Sequence, residues 1–111
     1  MNHTIMNLDK INPIKREKIK KGMEYIASLN DGCISKVIAF GSSVTQDCTE
    51  ESDIDLCFIT MNPDSDIYSQ IYGNMEIVMD DLCDILDYDE LKGEVKTEID
   101  KKGVTVYEYY G

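Results

Sequence analysis

Two short apolar runs separated by a polar segment constrain this chain more than any other feature. KVIAFGSS (36–43) and DIDLCFIT (53–60) are rich in β-branched and aromatic residues and too short for independent helices, so both read as strands. The first stops at Gly41-Ser42, the stretch 43–52 (SVTQDCTEES) is turn-like, and the second opens on Asp53-Ile54-Asp55. Side chains alternate along a strand, so Asp53 and Asp55 project to one side and Ile54 to the other. Carboxylates about 6–7 Å apart along one strand face can share hard divalent cations, and repel each other without them. Gly41 lets a ligand approach the backbone, and a turn offering free N–H groups beside the Ser42 hydroxyl suits phosphate oxygens. Those are the parts for metal-assisted phosphoryl-group chemistry.

The rest of the chain frames that unit. Asn12-Pro13 combines a capping residue with proline at the first helical position, and the helix it opens runs to about Asn30. Ile19, Met23, Ile26 and Ala27 recur at helical spacing, with Lys and Arg on the remaining, solvated face; Gly22 weakens the pattern. The cluster 62–66 is a turn leading into a second helix (67–79), followed by a strand (82–88, LCDILDY), a third helix (89–102) ended by Gly103, and a last strand (104–110). Tyr107, Tyr109 and Tyr110 read as strand packing and a frayed end. Alternating elements without repeats or linkers predict one α/β domain over 1–111, a small mixed β-sheet flanked by helices.

Charge narrows the partners. The chain holds 11 Lys+Arg against 22 Asp+Glu, a formal net charge of −11. No Lys or Arg occurs from Val37 to Leu91, a window with 14 carboxylates, whereas residues 1–36 hold seven bases against four acids. Such a surface repels naked nucleic acid, so phosphate handled there must arrive with a divalent cation. Cys33, Cys48, Cys57 and Cys83 form no CxxC pair and His3 is the only histidine, which argues against zinc. An EF-hand also fails, since DIDLCFITMNPD lacks the central glycine. With no signal peptide and no apolar run of membrane-spanning length, the expectation is a reduced cytoplasmic protein with free thiols and no membrane contact.

Gly-Ser, ten residues, then Asp-x-Asp resembles the signature of the minimal nucleotidyltransferases of the DNA polymerase β-like superfamily, here GS, SVTQDCTEES, DID. CDILDYDEL resembles that family's strand bearing a third carboxylate, and DKKGVTVYE its usual ending. The resemblance implies the polymerase β-like fold, with Gly41, Ser42 and Ser43 binding the nucleotide and Asp53 and Asp55 binding two Mg²⁺ ions. It implies a third carboxylate, catalytic and metal-binding, that helps deprotonate an attacking hydroxyl. Asp84 is preferred to Asp87, because an unpaired carboxylate amid Leu82, Ile85 and Leu86 is costly without a role, whereas Asp87 is placed to cap the next helix. Many relatives carry an Arg and a Gly soon after Gly-Ser; this chain has Val44-Thr45-Gln46-Asp47. Lys36 or the basic helix from Arg16 to Lys21 are the candidate substitutes.

Minimal members of the family are commonly antitoxins that adenylylate a tyrosine of a HEPN-domain RNase toxin. The expectation is therefore AMP transfer from ATP to a hydroxyl acceptor on a HEPN-type partner, in a hetero- or homo-oligomer. With 111 residues the expectation is that the acceptor-binding surface comes from the partner. The rival readings are an antitoxin acting by binding alone and an adenylyltransferase for small molecules such as aminoglycosides.

Overall fold

A computed structural model describes residues 2–111. In chain order the elements are β1 (His3–Ile5), α1 (Pro13–Leu29), β2 (Ile34–Phe40), β3 (Ile54–Thr60), α2 (Asp66–Met79), β4 (Cys83–Asp87), α3 (Gly93–Lys102) and β5 (Val104–Tyr109). Short 3-10 turns occupy Leu8–Lys10, Gly41–Val44 and Tyr88–Glu90. The strands form one sheet in the order β1-β5-β2-β3-β4. Only β3 and β4 run parallel, because α2 carries the chain back across the sheet between them; the other neighbours are antiparallel. The fold is the mixed α/β arrangement expected from the alternation of elements.

Local chemistry sets the helix starts. Asn12 Oδ1 accepts from Ile14 N–H at 3.0 Å and Pro13 follows at the first helical position of α1. Ser65 Oγ accepts from Ile67 N–H at 3.2 Å at the head of α2. Ile19, Met23 and Ile26 of α1 meet Ile71, Met75 and Met79 of α2, and both helices cover the sheet face bearing Val37, Ala39, Leu56 and Phe58. A Cβ on Gly22 would lie 2.8 Å from Met79 Sδ and 3.0 Å from Met75 Cε, so the missing side chain is what lets α1 and α2 approach. α3 packs more lightly: Ile99 is its one buried residue, and Gly103 at its end lies against Ile38, which strand alternation turns to the other side of β2 from Val37 and Ala39.

The structure departs from the sequence reading in four places. His3–Ile5 is an edge strand paired antiparallel with β5, and the His3 ring stacks on Tyr107 with centroids 6.0 Å apart. The end of β5 is tied down, since Tyr110 N–H donates to Asn2 O at 2.6 Å and its hydroxyl bonds Thr4 Oγ1 at 2.6 Å. The helix expected over 89–102 splits, because Asp87 caps a separate 3-10 turn and α3 starts only at Gly93. Finally, Lys15, placed by pattern on a solvated face, is fully buried.

Candidate functional site

β2 delivers Phe40 opposite Asp55, and the chain then turns through Gly41 with φ +69°, a conformation that favours glycine. A side chain on Gly41 would run into Asp55 Oδ2, so the Gly-Ser turn and the second aspartate of Asp-x-Asp are in direct juxtaposition. Asp55 stands in register with Asp84 on the parallel neighbour β4, so both carboxylates leave the sheet on the same face. Asp53 lies just before β3, exposed, two residues from Asp55. Burial, and then the charges of Asp84 and Asp53, push the Asp55 carboxyl above its ordinary value. Burial first, then Asp55, Glu76 and Asp84, push the Cys83 thiol up to about 12, so it stays protonated beside the acids.

Asp84 is exposed, and so is Leu82, so the desolvation cost that favoured Asp84 over Asp87 in the sequence does not arise. Its register with Asp55 is the reason to single it out. Asp87 is in register with Phe58 instead and its Oδ1 accepts from Asp89 N–H at 3.0 Å, a capping position. Ser42 is half-buried at the turn, and its carbonyl accepts from Thr45 N–H at 3.1 Å. Ser43 is fully buried: its carbonyl accepts from Asn12 N–H at 2.8 Å, and its Oγ is enclosed with no hydrogen-bond partner among the described residues.

Of the candidate substitute bases, Arg16, Lys15 and Lys18 are engaged elsewhere, and Lys36 stands opposite Ile59 at the far end of β2 from Gly41 and does not reach the turn. Arg16 donates to the carbonyls of Leu8, Asp9 and Ile11 at 2.8, 3.3 and 2.9 Å. Lys15 and Lys18 pair with Asp81, and Lys36 lies 3.9 Å from Glu108. Lys10 and Arg16 do line a cleft of about 250 Å³ with Asn12, Val44 and Thr45, next to the end of the Gly-Ser turn. A roomier cleft of about 560 Å³ runs along α3 from Gly93 to Lys102 and contains none of the candidate residues.

Among the described residues no three His, Cys, Asp or Glu side chains converge into a closed metal cluster. What the fold supplies is hard oxygen donors at neighbouring strand positions, with burial and then mutual repulsion raising Asp55, a donor set that suits Mg²⁺ in its chemistry.

The family model described as polymerase beta, nucleotidyltransferase, matches residues 17–110. The chain belongs to that family. Three solved structures share the fold of this nucleotidyltransferase domain at low identity. A toxin–antitoxin crystal structure with AMP-PNP aligns with TM-score 0.60 and 18% identity, over 81% of this chain and 70% of the other. A mutant toxin–antitoxin MntA-HpeT gives 0.58 and 15%, over 91% and 72%. Toxin–antitoxin MntA-HepT gives 0.53 and 15%, over 78% and 70%. Curated protein sequences provide no match. No helix among the described residues is long and apolar enough to cross a membrane.

Proposed function

We propose that this nucleotidyltransferase transfers AMP from ATP to a hydroxyl acceptor, a tyrosine of a HEPN-type toxin, and thereby acts as an antitoxin. The observation that carries the chemistry is the contact of Gly41 with Asp55, itself in register with Asp84: the phosphate-side turn and the carboxylates meet at one end of the sheet. The toxin–antitoxin character of the fold's neighbours, one with an ATP analogue, supports the acceptor and the nucleotide.

In this reading Asp53, Asp55 and Asp84 hold two Mg²⁺ ions. When bound, the ions supply Lewis-acid stabilisation of charge on the attacking and leaving oxygens. Gly41 and Ser42 receive the triphosphate tail through backbone N–H groups and the Ser42 hydroxyl, and the adjoining Ser43 contributes backbone only, since its side chain is buried. Asp84, exposed at the outer strand, takes the acceptor's proton as its oxygen attacks the α-phosphorus in line. One oxygen–phosphorus bond forms, the bond to the β-phosphate oxygen breaks, and pyrophosphate leaves. The net charge of −11 suits a partner with a basic face.

Asp53→Asn with Asp55→Asn is expected to abolish incorporation of labelled AMP into the co-purified partner while the circular dichroism spectrum is unchanged. Undiminished incorporation overturns the assignment. A second reading, neutralisation by binding alone, is favoured by one observation: Arg16, Lys15 and Lys18 have other partners and Lys36 stands at the far end of β2, so none of these four is free at the Gly-Ser turn. Full protection of cells by the double variant would select it.

A further inference from the structure

We propose that Lys15 is a positioning residue for the candidate carboxylates, setting Asp53 and Asp55 against Asp84 by tying together the two backbone segments that lead into β3 and β4. The inference rests on the proposed nucleotidyl transfer. Lys15 occupies the buried stripe of α1, one turn before Ile19, where spacing asks for an apolar residue. Its ammonium donates to Asp81 Oδ2 at 2.6 Å and to the Glu50 carbonyl at 3.2 Å. Glu50 is three residues ahead of Asp53 and Asp81 three ahead of Asp84.

The bridge continues through the backbone. Asp81 Oδ1 accepts from Leu82 N–H at 2.9 Å, and Leu82 O accepts at 2.9 Å from the N–H of Ile54, the residue between the paired aspartates. One buried cation thus fixes both strand entries at the end of the sheet where the three carboxylates emerge. Lys18 reinforces only the β4 side, at 3.3 Å from Asp81 Oδ2 and 3.1 Å from Asp80 O. A buried ion pair is often no more stabilising than apolar residues of similar volume, so stability alone does not call for a lysine in this stripe.

Two variants separate positioning from stability. Lys15→Met keeps the stem and removes the ammonium; Lys15→Met with Asp81→Leu removes both charges, leaves neither group orphaned and is expected to unfold at a urea midpoint close to the parent's. In both, kcat per folded molecule should fall about tenfold to a hundredfold, the scale of a misplacement near 1 Å, with the KM for ATP changing much less. Mn²⁺ binding, read by electron paramagnetic resonance without turnover, should weaken in parallel. Parental kcat and Mn²⁺ affinity in the double variant, or losses that only follow the folded fraction, would overturn the inference and leave the proposed function standing. A parent protein that transfers no AMP and binds no Mn²⁺ would overturn both.

Discussion

At Gly41 two constraints coincide on one residue. Its φ of +69° costs an L-residue about 1–2 kcal/mol, and a Cβ there would displace the Asp55 carboxylate. Gly41→Ala is therefore expected to lower stability by about that amount in urea titrations and to cut transfer activity far more than the folded fraction. Activity that tracks folding would separate the turn from the chemistry. Asp81 offers a test by pH. Burial works to raise its carboxyl, but hydrogen bonds from Lys15 and then Lys18 prevail and hold it below its ordinary value of 3.8. A carboxyl depressed on folding stabilises above its unfolded pKa, and that contribution disappears as pH falls through the folded value. Asp81→Asn, which leaves the buried Lys15 ammonium without its counter-charge, should cost roughly 3 kcal/mol at pH 7. The gap to wild type should stay constant down to about pH 4.5 and close below pH 3.8. An equal gap at pH 2.5 and pH 7 would contradict this account.

Among elements, the contact of α1 with α2 turns on a single missing side chain. Gly22 weakens α1 as an isolated helix, and in the fold it faces Met75 and Met79. Gly22→Val should destabilise by about 1–3 kcal/mol through overpacking, read as a lower urea midpoint at unchanged slope. A neutral or stabilising effect would mean that the methionines repack freely. The elements legible in the sequence were those with a strong period and clear punctuation: α1 from Asn12-Pro13, β2 and β3 on either side of the Gly-Ser insert, and α2. Those missed were set by tertiary contacts. β1 is three residues whose strand character comes from β5, and Asp87 caps a turn that cuts short the expected third helix. Lys15 is charged yet buried because Asp81 and Glu50 meet it from distant segments, a pairing no local pattern announces. Strand alternation made legible that Asp53 and Asp55 share a face; the addition of Asp84 came from the family resemblance, since the register that sets it beside Asp55 is a property of the assembled sheet.

Across the whole molecule, charge decides what adding a cation does. Of the 22 acids only Asp81 and Glu108 take part in ion pairs among the described residues, and the window from Val37 to Leu91 contains no base to offset its 14 carboxylates. General self-repulsion is relieved by any salt, whereas a site that takes Mg²⁺ with nucleotide responds to that pair alone. Raising NaCl should therefore lift the melting temperature smoothly in wild type and in the Asp53→Asn, Asp55→Asn variant alike. At matched ionic strength, Mg²⁺ with a non-hydrolysable ATP analogue at ten times its dissociation constant should add about 1.4 kcal/mol, roughly 6 °C for a chain of this size. That increment should vanish in the double variant and persist in a control such as Asp64→Asn, in the exposed turn before α2. If NaCl alone reproduces it in wild type, the carboxylates at Asp53, Asp55 and Asp84 are part of the diffuse acidic surface and hold no specific ion.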